Sequence, residues 1–273
     1  MRPVWMKALF GLTLGLALAG CSPKPAMLPV KTSGGEVQLE SYVFRPAIAG
    51  KYPVVIFNHG SAAGDPKTSL TFETQAKQFI EKGYIFVSLM RRGRGQSEGV
   101  SRESEVKNCD AGAWDTGLSD AFDDLTAAID YLKTLQFVDT KNFILAGTSR
   151  GGFLSVAYAA KGARKDDVTA VINFAGGWVA QAEDKCPSDF NATSFAQYGA
   201  QTKIPMLWLY GAKDRFYGDA APVAYADAFQ KAGGNAEFKL IDNVPVNGHF
   251  LAENPDLWRD PTYAFLARLP KRK

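Results

Sequence analysis

Histidine and cysteine are scarce in this chain, with two and three copies among 273 residues. Two histidines cannot furnish a His-rich metal centre, and neither a His-Glu-x-x-His pair nor a Walker-type phosphate loop is present, so nothing implies a metal or a nucleotide cofactor. Long hydrophobic runs are missing as well: the longest, Ala8 to Ala19, is too short for a stable membrane span. No internal repeat, heptad run or low-complexity tract occurs. Charge of either sign is not in excess, with 31 Lys and Arg against 28 Asp and Glu, which leaves a nucleic-acid partner without support. What is present, 46% hydrophobic and 22% charged residues, suffices for the full core of one domain.

The most informative segment is Gly147-Thr148-Ser149-Arg150-Gly151, with Gly152 beyond it. It follows the apolar run Phe143 to Ala146 and opens a helix-like stretch, which sets Ser149 on a strand-to-helix turn with the geometry of a nucleophile elbow. Such a turn is too tight for bulky flanking residues, hence the glycines two positions either side. A serine hydroxyl is a weak nucleophile at neutral pH and needs a base oriented by a carboxylate. His59, in Asn58-His59-Gly60-Ser61 after the run Val54 to Phe57, and His249, in Asn247-Gly248-His249-Phe250, are the two candidates.

Strand-like runs recur at Val37–Phe44, Pro53–Phe57, Ile85–Met90, Phe143–Ala146, Val168–Phe174, Met206–Tyr210 and Glu237–Ile241. Helical patterns lie at Phe72–Lys82, Leu118–Leu135, Phe153–Lys161, Val223–Ala232 and Thr262–Arg268. The alternation predicts an α/β domain with a mostly parallel sheet and helices on both faces. Binding sites then fall at the carboxyl ends of strands. Ser101–Thr116 and Gly176–Lys203 do not fit the repeat; polar, glycine-bearing and aromatic, they are expected to form a lid or pocket rim.

Asn58-His59-Gly60, the loop Arg92-Gly93-Arg94-Gly95-Gln96-Ser97-Glu98-Gly99, Gly147 to Gly152, Asp214 and His249 together resemble the α/β-hydrolases, in particular the dienelactone hydrolase-like branch. One departure is that dienelactone hydrolases in the narrow sense use cysteine where this elbow carries Ser149. The resemblance implies the chain order nucleophile, acid, base. His249 is then the base, and His59 holds its loop. The acid is Asp214, after the run Met206 to Tyr210, with Asp219 and Asp242 as competitors. The same architecture implies oxyanion donors from the backbone N–H groups of Arg150 and Ser61.

Trp114, Trp178, Tyr217 and Phe250 are candidates to line an apolar acyl or aryl pocket, although tryptophan is more often plain packing. Arg91, Arg92 and Arg94 cluster near a strand end, where pairing with carboxylates is the ordinary reading and an acidic substrate the alternative. Cys109 and Cys186 lie one in each irregular segment; in an oxidising compartment a disulfide between them is expected over a metal site.

Arg2 and Lys7 ahead of the run Ala8 to Ala19 have the shape of a secretory signal, and Leu18-Ala19-Gly20-Cys21 resembles a bacterial lipobox. The resemblance implies a signal peptide over 1–20, a lipid on Cys21, a Pro- and Lys-rich tether over 21–35 and a hydrolase domain over 36–273. Ser22 favours the outer membrane, facing the periplasm, in a diderm source. Removing 1–20 takes two of the basic residues and no acidic one, and it leaves two cysteines once Cys21 is acylated.

The expectation is a lipid-anchored serine hydrolase acting on a carboxylic ester through an acyl-enzyme. It needs no cofactor, and nothing points to an obligate protein partner. A peptidase of the same fold would usually carry a propeller or other added domain, for which this length leaves no room. A silent surface-binding lipoprotein would not need nucleophile, acid and base together.

Overall fold

The computed structural model describes residues 24–32, 35–61, 65–103, 111–180 and 189–270. Eight strands form one sheet among them: β1 (Ala26–Thr32), β2 (Gly35–Phe44), β3 (Tyr52–Asn58), β4 (Ile85–Leu89), β5 (Val138–Thr148), β6 (Val168–Phe174), β7 (Met206–Gly211) and β8 (Ala236–Ile241). Their order is β1-β2-β4-β3-β5-β6-β7-β8. The first two pairings are antiparallel, and β4-β3-β5-β6-β7-β8 are parallel. The expected α/β architecture is therefore what the chain adopts.

Parallel strands covered on both faces read as continuous apolar runs. In β3 the alternate residues Val54 and Ile56 serve one core, and Val55 and Phe57 the other. The first core lies under α2 (Ala111–Lys133), α3 (Arg150–Lys161), α4 (Phe190–Gln201) and α5 (Ala220–Lys231), the second under α1 (Glu73–Ile80) and α6 (Pro255–Arg268). Among the described residues no helix is long and apolar enough to cross a membrane.

Two expectations are corrected. The segment assigned to a tether contains β1, so the sheet begins before residue 36. Leu28 and Val30 are fully buried while Met27, Pro29 and Lys31 face outward, the period-2 pattern of a half-buried edge strand where proline is tolerated. The segment Gly176–Lys203 is no loose lid where it is described. Its α4 sends Phe195 and Tyr198 into the core. The Asn191 side chain accepts from the N–H groups of Trp178 and Val179 and donates to the Val179 carbonyl. Within the other irregular segment Glu103 is buried and α2 begins at Ala111. Cys21, Cys109 and Cys186 lie outside the described residues, as do the signal and lipobox sequences.

Candidate active site

Strand β5 runs into Ser149 and α3 starts on the next residue, so the serine sits on the turn itself, with φ 55° and ψ −125°. A non-glycine residue reaches that region only where the surroundings impose it. Here the Ser149 N–H donates to the Phe174 carbonyl at 3.0 Å and its carbonyl accepts from Phe153 at 3.1 Å. The flanking glycines are steric necessities: a Cβ on Gly151 would overlap the Asn58 carbonyl, and one on Gly147 would lie 2.7 Å from that same oxygen. The elbow is thus wedged against the end of β3.

The candidate acid and base lie beyond the ends of β7 and β8. His249 Nδ1 and Asp214 Oδ2 are 2.9 Å apart, both residues buried. The other oxygen, Oδ1, accepts from the Phe216 and Tyr217 N–H groups at 2.7 and 3.2 Å. With the carboxylate as acceptor the Nδ1 carries the proton, and Nε2 is left with a lone pair. The two competitors stand elsewhere: Asp219 accepts from the Lys213 N–H, and Asp242 is exposed.

Sequence reasoning missed two parts of this site. The Asn247 side-chain oxygen accepts from the Arg215 N–H at 3.0 Å and the His249 N–H at 3.1 Å, tying the two loops together. Tyr217 is expected from the sequence only as a pocket residue. It is buried, donates to the Gly177 carbonyl at 2.8 Å, lies beside the Ser149 hydroxyl and meets the His249 ring edge-on at 5.3 Å. Burial pushes its pKa up, so it stays a neutral phenol. Phe216 covers the His249 ring at 4.3 Å. No sequence signal short of the three-dimensional contact would have singled out Asn247.

The remaining pocket candidates divide. Trp178 is a core residue packed on Phe153 and beneath the Arg150 guanidinium, not a rim residue. Phe250 is partly exposed and packs on Phe216 and His249. The Trp114 side chain lies outside the described residues.

Gly60 passes so close to the serine that a Cβ there would be 3.0 Å from the Ser149 Cβ. His59 anchors this approach: its Nε2 accepts from the Arg91 N–H at 3.1 Å, so Nδ1 carries the proton that is donated to the Gly60 carbonyl at 2.6 Å. In a trans peptide the next N–H points opposite to that carbonyl, so the His59 contact turns the Ser61 N–H away from the imidazole. Ser61 is exposed, and residues 62–64 after it lie outside the described residues. The Arg150 N–H opens α3, where no intrahelical carbonyl is available to it.

Burial and the neighbouring Arg91 push the His59 pKa down to about 3, so this imidazole is neutral. Arg91 donates to the His59 carbonyl and clamps the buried Glu103 through Nε and Nη2. Burial would raise the Glu103 pKa, but the Arg91 charge overrides it and brings the carboxyl down to about 2.

Elbow, paired acid and base, and the strand order define an α/β-hydrolase of the serine hydrolase superfamily. Residues 34–183 match the model of the X-Pro dipeptidyl-peptidase (S15) family, more than half the chain, and the chain belongs to that family. The protein called "Probable dipeptidyl-peptidase 5" of Aspergillus terreus is 25% identical over 276 residues, covering 92% of this chain and 36% of its own length. The chain thus spans about a third of that relative. The acylaminoacyl peptidase of Pyrococcus horikoshii superposes with a TM-score of 0.65 at 18% identity, over 93% of this chain and 43% of that one. A Klebsiella pneumoniae protein assigned to the dienelactone hydrolases superposes at 0.61 and 18% identity, over 90% and 98%. At these identities the two structures speak to the fold alone.

Proposed function

We propose that the chain is a carboxylic ester hydrolase working through an acyl-enzyme on Ser149. Ser149 attacks the carbonyl carbon as His249 Nε2 takes the hydroxyl proton; the imidazolium, held by Asp214, gives that proton to the departing alcohol. The N–H groups of Arg150 and Ser61 are the candidate donors to the oxyanion. Water then repeats the sequence on the acyl-enzyme and releases the acid. The Asp214–His249 contact at 2.9 Å, on a base whose ring touches the tyrosine beside Ser149, is the observation that carries this reading.

Family membership favours a second reading, a dipeptidyl peptidase. Removing dipeptides requires a carboxylate to hold the free ammonium of the substrate; among the described residues Glu103, at the corner beside the His59 loop, is occupied by Arg91. Turnover of 4-nitrophenyl butyrate beside Gly-Pro-4-nitroanilide separates the two readings: ester hydrolysis lost in Ser149→Ala supports the first, and preferential anilide cleavage in kcat/KM replaces it with the second.

The lipobox motif supports an extension, that Cys21 is acylated and anchors the enzyme in the bacterial envelope. Alkynyl palmitate labelling of cells expressing the full chain is expected to tag wild type and not Cys21→Ala. An untagged wild type removes the anchor.

A further inference from the structure

Three arginines leave the end of β4, and two of them are paired with buried carboxylates. Arg91 presents Nε and Nη2 to the two oxygens of Glu103, and Arg92 presents Nε and Nη2 to Asp124 at 2.8 and 2.6 Å. Arg94 has no such partner among the described residues. The residue is only 9% exposed, its Nε is buried without a hydrogen bond, and its Nη groups make none among the described residues. The Nε is thus desolvated without compensation, while the Nη pair is left without a protein partner among the described residues.

The loop fixes the backbone that carries this side chain. Gly93 and Gly95, on either side, have φ of 73° and 55°, and a Cβ on them would overlap the Ser101 nitrogen and a Glu40 carboxylate oxygen respectively. The Arg94 N–H donates to the Arg91 carbonyl and its own carbonyl accepts from Ser97. Arg94 is therefore held rigidly at the carboxyl end of the sheet, beside the strand that carries His59 and Gly60 to Ser149.

Charge at this corner is unbalanced. Arg91 is matched by Glu103, whereas Arg150 donates to the carbonyls of Trp178 and Glu103 and stacks on Trp178. Burial and then the charges of Arg91 and Arg150 lower the Arg94 pKa, against the opposing pull of Glu103. Among the described residues a surplus of positive charge thus stands at the corner shared by Arg91, Arg94 and Arg150, beside His59.

We propose that Arg94 is the docking point for a carboxylate carried by the substrate close to its scissile ester, an assignment that rests on the ester-hydrolase reading. A planar guanidinium offers a carboxylate two parallel N–H donors, here the Nη pair, and the anion completes for Arg94 what Glu103 and Asp124 supply to its neighbours.

The test compares kcat/KM on matched pairs: mono-4-nitrophenyl adipate with 4-nitrophenyl hexanoate for an anion on the acyl side, and 4-acetoxybenzoate with its methyl ester for one on the alcohol side. Wild type is expected to favour the anionic member of one pair by about tenfold or more. In Arg94→Gln that ratio falls to about one, and Arg94→Lys, which keeps the charge without the fork, falls between. A wild-type ratio near one in both pairs, or an unchanged ratio in Arg94→Gln, overturns the assignment. Should wild type hydrolyse none of the four, the ester reading fails by itself, and adipate binding by calorimetry decides the site: binding to wild type and not to the variant retains it, equal or absent binding removes it. Circular dichroism confirms folding, and Arg94→Lys takes the place of Arg94→Gln if the latter does not fold.

Discussion

The backbones of Gly211 and Gly248 lie directly against each other. A Cβ on Gly248 would overlap the Gly211 and Ala212 carbonyl oxygens, and one on Gly211 would stand 2.7 Å from the Gly248 Cα. The contact seats the His249 loop on the strand end that leads to Asp214. Gly248→Ala must part the two, and misplacing a catalytic group by about 1 Å costs on the order of 10²-fold. The kcat on 4-nitrophenyl butyrate is expected to fall by about that factor with KM little changed; an unchanged kcat would show that the loops separate freely.

Acid sensitivity follows from His59 and Glu103. The His59 pKa of about 3 is below its ordinary 6.5, so the unfolded chain binds the proton first. Stability from the neutral imidazole is complete above pH 6.5 and declines as pH falls towards 3. Glu103, at about 2 instead of 4.5, adds a second loss below pH 4.5. Urea unfolding between pH 7 and 5 should show a falling free energy in wild type and a flatter dependence in His59→Gln, whatever its absolute stability. Parallel curves would contradict a neutral His59.

Removing the partner of Arg91 has a larger effect at neutral pH. Arg91 and Glu103 are 1% and 4% exposed, and Glu103→Gln keeps the volume while leaving a buried cation unpaired. Breaking such a pair costs about 3–5 kcal/mol. Urea denaturation at pH 7 reads it directly, and a loss below about 1 kcal/mol would mean that water reaches the guanidinium.

Val246 stores strain three residues before the base. It is β-branched yet has φ 66°, inside a tight turn closed by the Asn247 N–H and the Pro245 carbonyl at 2.7 Å, and its side chain is 82% exposed. The bond makes this a γ-turn of positive φ, which glycine adopts without a Cβ penalty, and no packing is lost. Val246→Gly is expected to stabilise by about 1 kcal/mol, raising Tm by about 2–4 °C. A lower Tm would refute the strain.

The parallel strands could be read because both faces are buried: Val54 to Phe57 is an uninterrupted apolar run, and Val168 to Phe174 is apolar but for Thr169 and Asn173. The elbow could be read because its glycines are sterically compulsory. Strand β1 escaped because Pro29 and the exposed Met27 break up an edge whose fully buried described residues are Leu28 and Val30. Helix α4 escaped because Asn191 and Ser194 are buried polar residues, and Gly199 is there for close approach to the Phe229 carbonyl. Asn247 and Tyr217 act through contacts to chain segments more than 30 residues away, which no local pattern encodes.

The central claim is that Ser149 is a nucleophile activated by His249 and Asp214. Intact-mass and peptide mapping after treatment with a fluorophosphonate tests it most directly. The account predicts one adduct, on the peptide carrying Ser149, absent in Ser149→Ala and formed on the order of 10⁶-fold more slowly in His249→Asn. A folded wild type that takes no adduct, or takes one equally fast without His249, would contradict it.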